Sequence, residues 1–164
     1  MASWRSGRPA GPLSFIGVAV VVAAVVVDQV SKLVADARLP PGDAIDLLPI
    51  LTLYRVNNTG IAFSFLSGLG ALPLIAIMVA VSVVIIVFWA RAREGGWLAT
   101  VGFGLILGGA VGNLIDRMRL GHVIDFLLLH IGDRTLFVFN LADVALTVGP
   151  ALLLAVYLWP EPHR

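Results

Sequence analysis

Apolar positions in this chain do not alternate with polar ones in short periods. They run on in four stretches, at about 13–34, 71–90, 97–115 and 141–159. A bilayer core of about 30 Å is crossed by roughly 20 mainly apolar residues in a helix, so each stretch predicts a transmembrane span. Apart from Ser14, the polar residues of the first stretch are confined to its end. Pro73, Gly102, Gly104 and Pro150 fall inside spans, which membrane helices tolerate better than soluble ones; Pro150 predicts a kink in the last.

The connections are unequal. A short basic turn, Arg91 to Gly96, joins the second and third spans, while two longer loops cover about 35–70 and 116–140. Arg5 and Arg8 flank the first span, Arg91 and Arg93 lie in the short turn, and Arg164 ends the chain. This density of positive charge places both termini and the short turn in the cytoplasm. All eight aspartates, all four asparagines, Lys32 and Gln29 then fall at the outer ends of spans or in the outer loops, whereas Glu94 and Glu161 fall on the cytoplasmic side. Acids needed only for solubility would not sort this way. In the first outer loop, Pro40 to Asp43 reads as a turn. Leu51 to Val56 reads as a short strand, and Asn57 to Gly60 as a hairpin-like turn. Phe63, Phe65 and Leu66 are expected at the membrane interface. The predicted fold is a single all-α integral membrane domain, residues 1–164, with a small β-structured cradle in the first outer loop.

Composition agrees with this picture and narrows the chemistry. The 164 residues are 59% hydrophobic and 13% charged, against about 25% charge in soluble domains, and the mean hydropathy is +0.99. A net charge of +1 gives no electrostatic ground for binding nucleic acid. The absence of cysteine removes disulfides, thiolate metal sites and a cysteine nucleophile. Arg5, Arg8 and the apolar run to Val27 imitate a signal peptide, with Ala35-Asp36-Ala37 as its cleavage site. That site lies too far beyond the run, across Asp28 and Lys32, and cleavage is not expected.

Gly104, Gly108 and Gly112 form a doubled small-xxx-small stripe on the third span, which lets a neighbouring helix approach closely. The next position in that register is Asp116, with Asn113 one turn before it and Arg117 beside it. The fourth span opens with Asn140-Leu141-Ala142-Asp143, so Asp116 and Asp143 share one depth and one side. A carboxylate at a helix centre costs about 2.5–3.5 kcal/mol in a membrane, and less near the surface. Two such groups sharing a site cannot easily both ionise, so one holds a proton while the other accepts one. That is the requirement for activating water against a peptide carbonyl, with Asn113, Asn140 and Arg117 available to orient the acids or an oxyanion. Asp28 and Lys32 at i, i+4 can pair. Asp125 reads as a buried structural acid or a partner of the others, and Asp133 and Arg134 as solvated loop charges. His122 and His130 supply no ligand spacing for a metal.

Five blocks, in this order, carry a resemblance to a known family. They are Asp28-Gln29-Val30-Ser31-Lys32, Asn58-Thr59-Gly60-Ile61-Ala62-Phe63, Gly108 to Arg117, Val123-Ile124-Asp125-Phe126, and Phe139-Asn140-Leu141-Ala142-Asp143. From about Leu13 to Trp159 the sequence resembles the lipoprotein signal peptidases, the type II signal peptidases of bacteria. The resemblance implies Asp116 and Asp143 as catalytic aspartates. It implies a supporting set of Asp28, Lys32, Asn58, Gly60, Asn113, Arg117, Asp125, Asn140 and Ala142. It implies diacylglyceryl-modified prolipoproteins as substrates, cut on the N-terminal side of the lipidated cysteine in the bacterial inner membrane, with the active site at the periplasmic face. Membrane lipid and globomycin-type inhibitors are the other implied partners; no metal or organic cofactor is implied, and a monomer is expected. A proton-conducting transporter would instead place acids at several depths and show an inverted repeat. Neither is present in the sequence.

Overall fold

The computed structural model describes residues 7–40, 42–60 and 71–158. Its elements, in chain order, are α1 (Phe15–Arg38), β1 (Ala44–Leu48), β2 (Leu51–Asn58), α2 (Ala71–Arg91), α3 (Gly96–Leu120), β3 (Val123–Ile131), β4 (Arg134–Phe139) and α4 (Leu141–Leu158). All four helices are long and apolar enough to cross a membrane. The segment with Phe63, Phe65 and Leu66, and the terminal residues Arg5, Trp159, Glu161 and Arg164, lie outside the described residues.

Helix α3 is the axis around which the others pack. A Cβ at Gly104 would stand 2.6 Å from Val20 Cγ1, one at Gly108 2.6 Å from Ala24 Cβ, and one at Gly112 2.5 Å from Asp28 Oδ2. The predicted stripe is therefore the seat of α1. The opposite face of α3 meets α4 just as tightly, Gly102 against Leu153 and Gly109 against the Ala142 carbonyl. Among the described residues α2 packs mainly on α3. Its Trp89 is buried at the end near the Arg91 turn, stacked on Phe103 at 5.9 Å and donating from Nε1 to the Ala10 carbonyl at 2.8 Å.

At the other end the helices run further than the hydropathy implies. Helix α3 continues through Asp116 and Arg117 to Leu120 and closes on Gly121, whose φ of 77° is the left-handed conformation that glycine adopts without penalty. Helix α4 starts at a reciprocal cap. Asn140 Oδ1 accepts from the Asp143 N–H at 3.0 Å, and Asp143 Oδ2 accepts from the Asn140 N–H at 3.2 Å.

The sheet departs from the expectation of a cradle in the first loop alone. It has four antiparallel strands in the order β1-β2-β3-β4, two from each loop. Asn57 and Asn58 belong to β2 and pair with Ile124 and Val123, so the first hairpin turns before Leu51 rather than at Asn57–Gly60. Arg134 opens β4 opposite Ile131. The sheet is anchored to the bundle by Phe126, which packs with Ala35 and Leu39 at the end of α1. That anchor fixes the neighbouring Asp125.

Candidate active site

The polar end of the bundle holds two adjoining constellations. The inner one is built on α1 and α3. Lys32 Nζ lies 2.9 Å from Asp28 Oδ2 and 2.9 Å from Asp116 Oδ2, with all three side chains almost wholly buried. Asp116 is engaged on both oxygens, because Oδ1 also accepts from Gln29 Nε2 at 2.9 Å and Oδ2 from the Ile124 N–H at 3.2 Å. Asp28 Oδ1 accepts from the Ala142 N–H at 2.9 Å. Lys32 Nζ makes a further hydrogen bond, 2.8 Å to Asn113 Oδ1.

The outer constellation faces a cleft of about 640 Å³ lined by Asn58, Asn113, Arg117, Asp125 and Asp143 among apolar residues that include Met78, Val123, Phe137, Phe139 and Leu146. Asn140 ties its two acids together. It donates from Nδ2 to Asp125 Oδ1 at 2.6 Å and from its backbone N–H to Asp143 Oδ2 at 3.2 Å. Asn113 Nδ2 donates to Asp143 Oδ1 at 2.9 Å, and Asn58 Nδ2 to Asp125 Oδ2 at 2.9 Å. Asn58 is oriented in turn by the Gly60 N–H, which donates to its Oδ1 at 2.9 Å. Arg117 donates to the Gly60 carbonyl and, at 3.4 Å, to that of Asn113. Its Nε is the one buried side-chain nitrogen or oxygen without a partner among the described residues.

Asp125 stands on β3 and is 2% exposed. Burial pushes its carboxyl from 3.8 up to about 6, and the negative charge of Asp143 adds to the rise. Hydrogen bonds from Asn58 and Asn140, and the more distant charge of Lys32, hold it back. This carboxyl therefore exchanges its proton near neutrality, as a group in acid–base chemistry must.

The family model described as signal peptidase (SPase) II matches residues 20–159. The chain belongs to the signal peptidase II family. It is accordingly a protease. Lipoprotein signal peptidases of Brucella ovis and Brucella abortus are each 46% identical to it over 136 residues, covering 82% of this chain and 84% of theirs. Two solved structures of a bacterial membrane enzyme, obtained by the in meso method at 2.3 and 1.9 Å, each align with a TM-score of 0.77. They are 27% and 28% identical to this chain, covering 90% and 88% of it and 93% and 94% of their own length.

In this signal peptidase II relative, every candidate site residue read from the sequence lies at the polar end, but not in one role. Asp125, Asp143, Asn58, Asn113 and Arg117 reach the cleft, while Asp28, Lys32 and Asp116 form the ion cluster beside it. Gly60 and Ala142 take part through backbone groups. Gln29, read only as part of a motif, proves to bridge Asp28 and Asp116, at 3.2 and 2.9 Å. As the sole glutamine, beside Asp28 at the end of an apolar run, it carried that signal in the sequence. His130 bonds to Thr52 and the Gly132 carbonyl, and among the described residues no group of three or more acids and histidines is placed to hold a metal ion.

Proposed function

We propose that this protein removes signal peptides from diacylglyceryl-modified prolipoproteins, cutting N-terminal to the lipidated cysteine, and that the water is activated between Asp125 and Asp143. The sequence motifs paired Asp143 with Asp116. The observation that favours Asp125 is its shared cleft with Asp143 and shared contact with Asn140, whereas both oxygens of Asp116 are taken up by Lys32, Gln29 and the Ile124 N–H.

In this reading the pair holds one proton. Asp125, with its carboxyl near 6, is suited to carry it, leaving Asp143 to accept a proton from water. The hydroxide adds to the scissile carbonyl while Asp125 protonates the carbonyl oxygen, giving a gem-diol without a covalent enzyme intermediate. On collapse of the gem-diol the C–N bond breaks, and the leaving cysteine amine takes a proton from the pair. Asn113 and Arg117 line the cleft and supply N–H groups for the developing charge. The apolar lining suits a signal peptide's hydrophobic run. The supporting placement is the bacterial inner membrane, both termini cytoplasmic and the cleft periplasmic, acting as a monomer and blocked by globomycin-type inhibitors.

Incubation of the purified protein with a diacylated prolipoprotein, with and without globomycin, tests the reaction. Globomycin-sensitive release of the signal peptide is expected. A folded preparation that leaves the lipidated precursor intact would remove the proposal. Wild-type turnover by Asp125→Asn would end the assignment of the pair.

A further inference from the structure

The buried ion cluster has a regular relation to the two cleft acids. The residues immediately before them, Ile124 and Ala142, each give a backbone N–H to a buried carboxylate: Ile124 to Asp116 Oδ2 at 3.2 Å, and Ala142 to Asp28 Oδ1 at 2.9 Å. These two carboxylates are joined by a single ammonium, Lys32 Nζ, 2.9 Å from each. Gln29 Nε2 spans the same two acids. A further arm runs from Lys32 Nζ to Asn113 Oδ1 at 2.8 Å, and from Asn113 Nδ2 to Asp143 Oδ1 at 2.9 Å.

We propose that Lys32, Asp28 and Asp116 form a positioning unit that sets the separation of Asp125 and Asp143. The inference rests on Asp125 and Asp143 being the reactive pair. On the cleft side the start of β3 and the start of α4 are tied by the β3–β4 ladder, Leu127 opposite Phe139, and by Asn140 Nδ2, which donates to Asp125 Oδ1 at 2.6 Å and to the Ile124 carbonyl at 3.4 Å. On the buried side the ammonium holds the two together, because two like-charged carboxylates facing each other in a dry interior would otherwise repel. Each carboxylate passes its position to a backbone amide one residue from a cleft acid. Lys32 also decides the orientation of Asn113. With Oδ1 taken by Lys32 and by Asn140 Nδ2 at 3.2 Å, the amide presents N–H, not oxygen, to Asp143. A helix-packing role alone would require none of these amide contacts.

The test uses the full chain in lipid nanodiscs with a diacylated prolipoprotein. Lys32→Met combined with Asp116→Asn removes one charge of each sign, so the interior keeps its net charge. Misplacing reacting groups by an ångström costs about a hundredfold in rate, so kcat per folded molecule should fall by about that factor. KM should hold, because no cleft-lining residue is changed, and both limbs of the pH–rate profile should move. Asp116→Glu keeps the ion pair but lengthens the arm to Ile124. It provides a second reading should the double variant not fold, and should also lower kcat at constant KM. A wild-type kcat and pH profile in either folded variant overturns the positioning role, as does a loss explained wholly by the unfolded fraction. Asp125→Asn, assayed alongside, separates the two claims. If it is inactive while the Lys32 variant is normal, the positioning unit fails and the reactive pair stands. If it is active, the pair itself fails.

Discussion

Two sets of aspartates occupy the same end of this bundle, and what surrounds them differs in kind. Asp28 and Asp116 stand on helices, 1% and 3% exposed, with an ammonium between them and hydrogen bonds on every oxygen. Asp125 and Asp143 line a cleft, and among the described residues no cation bonds directly to either; their neighbours are amides and backbone N–H groups. A buried carboxylate matched by a cation has its charge compensated. One held only by neutral donors destabilises the fold and remains free to exchange a proton. Position along the bundle does not distinguish them, since both sets lie at one end. Their partners do.

The largest effect expected from this contrast is on turnover. Asp125→Asn and Asp143→Asn should each lower cleavage of a lipidated precursor by about a thousandfold or more, the upper range for acid–base groups, with little loss of folded protein. An Asp125 variant that cuts normally would erase the distinction between the two sets. Asp116→Asn should cost stability as well as turnover. Removing one carboxylate from buried Lys32 should cost about 3 kcal/mol, the low end for a broken buried pair, because Asp28 remains as a partner. The measurement is thermal unfolding in detergent, and a melting temperature equal to wild type would show that the inner cluster is not a stabilising core.

The four helices were legible because the runs of apolar residues are long and the polar residues collect at one end. The glycine stripe was legible for a similar reason, since Gly104, Gly108 and Gly112 repeat with the helix and lead to Asp116. The second half of the sheet was hidden. Val123 to Ile131 is almost continuously apolar apart from Asp125 and His130, so the alternation that reveals a half-buried strand is missing. Gly132-Asp133 between two apolar runs was the available hairpin signal, and Gly132 does adopt a positive φ of 56°. The choice between Asp116 and Asp125 lay deeper. Both occur in motifs of equal clarity, and only the three-dimensional arrangement, Lys32 against Asp116 and a shared cleft for Asp125 and Asp143, favours Asp125 as the partner proposed for Asp143.

A smaller effect probes the boundary between the two sets. Gly112 lies against Asp28, and an added Cβ would stand 2.5 Å from Oδ2 and 3.1 Å from the carboxyl carbon. Gly112→Ala must therefore displace the inner carboxylate. Overpacking of this sort costs about 1–3 kcal/mol, visible as a lower melting temperature. If the inner cluster and the cleft are connected, activity should fall further than stability accounts for. Equal proportional losses would mean that the two regions are independent.

The smallest expected effect sharpens the contrast through pH. The folded chain keeps the Asp125 proton up to about 6, while the unfolded chain releases it near the ordinary value of 3.8. The folded state thus binds the extra proton between those values. The stability this confers is complete below about pH 4 and lost as pH rises through about 6, a change of about 3 kcal/mol. Asn58 limits the effect, because its Nδ2 donates to Asp125 Oδ2 at 2.9 Å and favours the ionised form. Removing that donor in Asn58→Ala should raise the carboxyl further, so the alkaline limb of the pH–rate profile should move to higher pH. The rate at neutral pH should change by less than about tenfold, since one neutral hydrogen bond contributes about 1 kcal/mol. A limb that stays fixed, or moves to lower pH, would mean that the titrating group is not Asp125, and the acid would have to be sought elsewhere in the cleft.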